Sequence, residues 1–153
     1  MDLEADGLMS ALGQLATSCR LYGVDCRFHC DQPVPIRAQE TATHLYRITQ
    51  EAICNAIRRG HANTILFGLR HAGSETSLTV TNDGLPFACD AERHDGMGLK
   101  IMRYRADMIG ATLRIESSGD VIGSGKTVVV CSLKPAEDSR NRESKNVKER
   151  VAN

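Results

Sequence analysis

Residues 38–60 read AQETATHLYRITQEAICNAIRRG, and the reading of this stretch decides the fold. Leu45, Ile48, Ala52 and Ala56 recur at helical spacing and keep one apolar face. The stretch therefore predicts a helix from Ala38 to Arg59, closed by Gly60. The residues that follow, 61–84, read HANTILFGLRHAGSETSLTVTNDG. Here the period changes from helical to alternating. Ile65, Phe67 and Leu69 alternate with polar or small residues, Ala72-Gly73-Ser74-Glu75 makes a turn, and Leu78 and Val80 continue. A hairpin over residues 63–82 is expected.

Upstream, Leu8, Leu12, Leu15 and Cys19 predict an amphipathic helix over residues 6–22. Gly23 ends it, and residues 24–30 alternate weakly as a strand. Residues 31–35 form a turn-rich connection. Downstream, Asn82-Asp83-Gly84 breaks the pattern and a polar loop runs to Gly96. Leu99, Met102, Ala106 and Ile109 mark a third helix, ended by Gly110. Two strands follow at 111–116 and 126–133. The order is not the regular strand–helix alternation of a doubly wound sheet. It predicts an α+β, two-layer sandwich, with a mixed, mostly antiparallel sheet covered on one face by three helices. One domain is expected over residues 1–134, with 135–153 a polar tail or linker without order.

The chain has 153 residues, which suits a single domain. Apolar residues make up 41% and aromatics only 4%, with no Trp, so the core must rest on aliphatic side chains, Met and Cys. Lys plus Arg balance Asp plus Glu at 19 each. Nothing in that balance marks a nucleic-acid or membrane-surface partner. The six cysteines, Cys19, Cys26, Cys30, Cys54, Cys89 and Cys131, form no C-x-x-C and no zinc-finger spacing with His. Free thiols in a reducing cytosol are expected, with Cys54 and Cys131 as small buried hydrophobes. There is no signal segment and no apolar run of about 20 residues. The expected location is cytoplasmic, with a membrane-attached parent left open.

Gly123-Ser124-Gly125-Lys126-Thr127 resembles the end of a phosphate-binding Walker A loop. The glycine that motif needs earlier would fall at Asp120, and Val128-Val129-Val130 continues as strand rather than helix. A glycine turn between two strands is the better reading.

Three separated segments carry chemistry together. Glu51 and Asn55 are four apart and share a helix face. A carboxylate beside a carboxamide offers the hard oxygen ligands that suit Mg²⁺, and Arg58 or Arg59 could add positive charge near phosphates. A polar stripe on an exposed helix would look the same. Thr81-Asn82-Asp83-Gly84 ends a strand, where a carboxylate could accept from an exocyclic amine or simply make a turn. Gly96-Met97-Gly98-Leu99 opens a helix whose free amides favour phosphate.

The ordered set resembles the histidine-kinase branch of the Bergerat-fold (GHKL) ATPases. Glu51 and Asn55 look like its N box, Asp83-Gly84 like the first glycine box, Gly96-Met97-Gly98-Leu99 like the second, and Gly125-Lys126-Thr127-Val128 like the late glycine–Thr turn. Ile101-Met102-Arg103-Tyr104-Arg105-Ala106 is similar to sensor kinases that pair with helix-turn-helix response regulators. The resemblance covers about residues 4–134. It implies Mg-ATP binding and γ-phosphoryl transfer to a His on dimerisation helices outside this chain. Asn55 would hold Mg²⁺ and Glu51 would position the reacting groups. Asp83 would meet the adenine amine with Thr127 nearby, while Gly84, Gly96, Met97, Gly98 and Leu99 would line the nucleotide. Arg58 and Arg59 stand where the family often has Lys and His.

Two departures stand out. Pro86 replaces the second glycine of the first box, which fixes φ and removes an amide donor. The lid, residues 88–95, is short. Among His29, His44, His61, His71 and His94, only His94 precedes an acid, and it lies in that lid. The domain alone is therefore expected to be a monomer that does not phosphorylate itself. A stand-alone serine kinase and a nucleotide-poor interaction module of the same fold are the alternatives.

Overall fold

The computed structural model describes residues 5–32, 34, 36, 38–84, 97–118 and 125–134. Helix α1 spans Ala5–Arg20, strand β1 Asp25–His29, helix α2 Gln39–Arg58, and strands β2 and β3 Thr64–Ala72 and Glu75–Asp83. Helix α3 spans Met97–Met108, followed by β4 (Thr112–Ser118) and β5 (Lys126–Leu133). The five strands form one sheet in the order β1-β2-β3-β5-β4. Strands β1 and β2 pair in parallel, and every other neighbour is antiparallel. A parallel pair needs a long crossover, and α2 supplies it. Among the described residues the expected α+β architecture forms, with three helices and a mixed, mostly antiparallel sheet.

Alternation sorts the sheet into rows. Phe28, Phe67, Val80, Val129 and Ile115 face one another across all five strands. Leu69, Leu78, Cys131 and Leu113 make the next row. On the helical side, Leu8, Leu12, Ala16 and Cys19 of α1 are buried, with Ala42, Leu45, Ile48, Thr49, Ala52, Ile53 and Ala56 of α2 and Met102 and Ala106 of α3. The Thr49 hydroxyl, buried in this face, donates to the Leu45 carbonyl at 2.8 Å, which satisfies its hydrogen-bonding need. The opposite face of the sheet is less covered, and Leu66 there is 48% exposed.

Several details differ from the sequence reading. Helix α1 ends at Arg20, leaving Leu21 and Tyr22 exposed beyond it. Cys54 is exposed rather than buried. It lies nine residues from Leu45, half a turn off the buried face of a helix stepping about 100° per residue. Cys131 is buried as expected, and Cys19, Cys26, Cys30, Cys54 and Cys131 are free thiols; Cys89 lies outside the described residues. Burial pushes the Cys26 thiol up to about 12 and the Cys131 thiol up to about 11, and raises Cys19 as well. At the end of α2 the left-handed residue is His61 (φ 49), not Gly60. Gly60 is instead a close-approach position, since a Cβ there would lie 2.8 Å from the Ala56 carbonyl oxygen. Among the described residues, no helix is long and apolar enough to cross a membrane.

Candidate functional site

The second half of α2 carries the polar pair within an otherwise apolar helix. Ala52, Ile53 and Ala56 face the core, and Glu51 and Asn55 are half-buried beside them. The first turn of α3 crosses over this pair. A Cβ added to Gly98 would lie 2.5 Å from Glu51 Oε1, 2.8 Å from Asn55 Nδ2 and 3.0 Å from Asn55 Oδ1. Only a residue without a side chain lets the α3 backbone come so close. Residues far apart in sequence, Glu51, Asn55 and Gly98, thus meet at one point.

Asn55 Nδ2 is shielded from solvent and, among the described residues, is the one buried side-chain nitrogen or oxygen with no hydrogen-bond partner. An unsatisfied buried donor costs about 1–3 kcal/mol. Such a cost is retained where a ligand supplies the missing acceptor. The neighbouring Glu51 carboxylate and Asn55 carbonyl are hard oxygen donors of the kind Mg²⁺ takes, with phosphates completing its shell. The residues present fit a magnesium–phosphate ligand.

The other wall is the end of the β3–β5 ladder. Gly84 follows β3 with φ 101 and presses on the turn after α2, so that a Cβ there would collide with the Gly60 carbonyl and crowd Ala62. This contact ties the end of β3 to the end of α2. Asp83 does not simply face an open site. One of its carboxylate oxygens accepts from the backbone amides of Asn63 at 2.8 Å and Thr64 at 2.9 Å, which fastens the start of β2. Asn82, just before it, is buried, and its Nδ2 donates to the Asp83 carbonyl at 2.7 Å. Thr127 is buried directly opposite Asn82, with its hydroxyl 3.4 Å from that of Ser117.

The remaining expected residues fall around this frame. Arg58 is exposed and Arg59 half-buried at the C-terminal end of α2, where the Arg59 amide donates to the Asn55 carbonyl at 3.0 Å. Met97 begins α3, and Leu99 packs against the core. Gly96, Pro86, His94 and the lid at residues 88–95 lie outside the described residues. Asn82 was not among the expected site residues, although its place in the series Leu78, Val80, Asn82 marks it as facing inward.

Comparison with known proteins identifies the family. Residues 40–137 match the family described as histidine kinase-, DNA gyrase B-, and HSP90-like ATPase. The sensor protein VraS of Staphylococcus haemolyticus is 37% identical over 98 residues, covering 64% of this chain and 27% of the relative. The VraS protein of Staphylococcus aureus is 38% identical over 96 residues, covering 63% of this chain and 27% of the relative. The chain thus spans about a quarter of the length of these curated relatives. Among solved structures, the blue-light activated histidine kinase of Erythrobacter litoralis superposes with a TM-score of 0.67 at 21% identity, covering 87% of this chain and 43% of that one. The catalytic domain of histidine kinase ThkA superposes with a TM-score of 0.66 at 18% identity, covering 86% of this chain and 94% of that one. These structural likenesses speak for the fold. With the matched family covering most of the chain, the protein belongs to the histidine kinase-, DNA gyrase B- and HSP90-like ATPases.

Proposed function

We propose that this domain binds Mg-ATP between α2, α3 and the end of the β3–β5 ladder, and presents the γ-phosphoryl group to a histidine on the dimerisation helices of a longer kinase. The observation that carries the proposal is the unpartnered, buried Asn55 Nδ2 beneath Gly98, with the Glu51 carboxylate beside it. In this reading Asn55 presents its carbonyl oxygen to Mg²⁺ and its amide nitrogen to a phosphate oxygen. Bound Mg²⁺ supplies charge neutralisation on the phosphates, the main demand of phosphoryl transfer. Glu51 orients the reacting groups at the same point. Gly96 and Gly98 let the backbone approach the phosphates, and the free amides at the start of α3 favour their charge. Arg58 and Arg59 add positive charge along the approach. The phosphorylated partner then serves a response regulator downstream.

The test is transfer itself. The domain is mixed with the phosphoacceptor helices of its parent kinase and γ-labelled ATP with Mg²⁺. Base-stable, acid-labile label on the helices supports the reading. Nucleotide binding without any transfer would reduce the domain to a nucleotide-binding module. The comparisons favour neither that module nor a stand-alone serine kinase.

A further inference from the structure

Helix α3 meets α2 at two polar points. Near its start, a Cβ on Gly98 would fall among the side-chain atoms of Glu51 and Asn55. About two turns further on, Arg105 Nη1 lies 3.4 Å from Nδ1 of His44. Later residues of α3 thus meet earlier residues of α2, so the helices run antiparallel, and Met102 is fully buried between the two points. Arginine only donates hydrogen bonds, so His44 Nδ1 is the acceptor and the ring proton sits on Nε2. That nitrogen faces Glu40 Oε1 at 3.8 Å, which sets the imidazole between a guanidinium and a carboxylate. The His44 side chain is 14% exposed, and a bond in so little water is stronger than one at an open surface.

We propose that Arg105 and His44 are positioning residues for the phosphate end of the site: their bond seats the far end of α3 on α2 and so keeps Gly98 over Glu51 and Asn55. This rests on the Mg-ATP reading above. Arg105 acts at a distance from the phosphates, since it stands about 10 Å along α3 from Gly98, at about 1.5 Å per residue, and turns its head to His44. The helix transmits the effect as a lever. Met102 is the fulcrum, with about 4.5 Å of helix to Arg105 and about 6 Å to Gly98. A shift of about 1 Å at Arg105 therefore moves Gly98 and the free amides of the first turn by about 1.3 Å. Losing the bond permits that shift without enforcing it, so the expected effect on binding is about that of one hydrogen bond.

The affinity of the whole domain for Mg-ATP is measured by calorimetry, and that for adenosine, which has no phosphates, by NMR titration. Arg105→Met and His44→Leu remove the bond and keep the apolar volume that packs the helices. Each is expected to weaken Mg-ATP by about three- to tenfold and to leave adenosine unchanged. The double variant should lose no more than either single one, because the same bond is lost in all three. His44→Asn keeps the affinity, since its Oδ1 stands one bond beyond Cγ as Nδ1 does. Arg103→Ala, at an exposed position of the same helix, is the control and changes neither affinity. Should one of the bond-deleting variants fail to fold, the other gives the same reading. Unchanged Mg-ATP affinity in a folded variant overturns the proposal, as do losses that add in the double variant or fall equally on adenosine. In each of those cases the unmodified domain still binds Mg-ATP and that reading stands. An unmodified domain that binds no Mg-ATP overturns both.

Discussion

Gly98→Ala adds one methyl group at the point where α3 crosses α2. To reach ordinary contact at 3.4 Å, Glu51 Oε1 must withdraw by roughly 0.9 Å and Asn55 Nδ2 by roughly 0.6 Å. The Glu51 carboxylate sits at the end of a flexible side chain and can swing away at small cost. Asn55 has a shorter side chain whose nitrogen is already enclosed, so its carboxamide must turn. Neither movement unfolds the protein. Alanine also favours helix over glycine by up to about 1 kcal/mol, which offsets part of the crowding. The net change in stability should stay within about 1 kcal/mol. Binding should respond differently, because displacing positioning groups by about an ångström can cost as much as 100-fold. We expect Mg-ATP to bind about 10–100-fold more weakly to Gly98→Ala by calorimetry, with a melting temperature close to that of the unmodified domain. Gly13→Ala is the control. Nothing lies within 4 Å of a Cβ at Gly13 in α1, so it should gain about 0.5–1 kcal/mol of stability and leave binding unchanged. Unaltered Mg-ATP affinity in a folded Gly98→Ala variant would refute the placement of the phosphates at this crossing.

Two further outcomes concern the frame around the site. Gly84→Ala must hold an alanine at φ 101 and collide with the Gly60 carbonyl; we expect a loss of about 2–4 kcal/mol in chemical denaturation, from backbone strain and overpacking together. At high pH, the raised thiols of Cys26, at about 12, and Cys131, at about 11, stay protonated in the folded state while the unfolded thiols ionise near 9. Their contribution is fully present below pH 9 and declines as pH rises toward 11–12, by about 1.4 kcal/mol per thiol for each pH unit. Denaturation midpoints at pH 8 and pH 10.5 should show this fall, and Cys131→Ala should reduce its slope.

The elements were legible because local pattern and local punctuation agree. The i, i+3, i+4 apolar series over Leu45–Ala56 and the alternation in Ile65–Leu69 give type and face directly, and both helix ends at Gly23 and Gly110 carry the positive φ expected of a glycine stop. Strand order was not legible. That β1 pairs in parallel with β2, and that β5 inserts between β3 and β4, depends on contacts across the whole chain that no local period encodes. The apolar character of Cys54 suggests burial, whereas helical phase sets it opposite Leu45 and it is exposed. In the site, the Glu51–Asn55 pair was readable from spacing, but the enclosure of Asn55 Nδ2 under Gly98 needs the fold. Asp83 stands out by its charge, and the alternation through Leu78 and Val80 marks Asn82 as the inward residue beside it.

The most direct measurement is the Mg²⁺ dependence of ATP affinity in the unmodified domain and in Asn55→Ala. If Asn55 joins the metal to the phosphates, Mg²⁺ should tighten ATP binding by tenfold or more in the unmodified protein, about 1.4 kcal/mol or greater. In a folded Asn55→Ala variant that gain should vanish. A variant that keeps the full Mg²⁺-linked gain would contradict the account, because the metal and phosphates would then be held elsewhere.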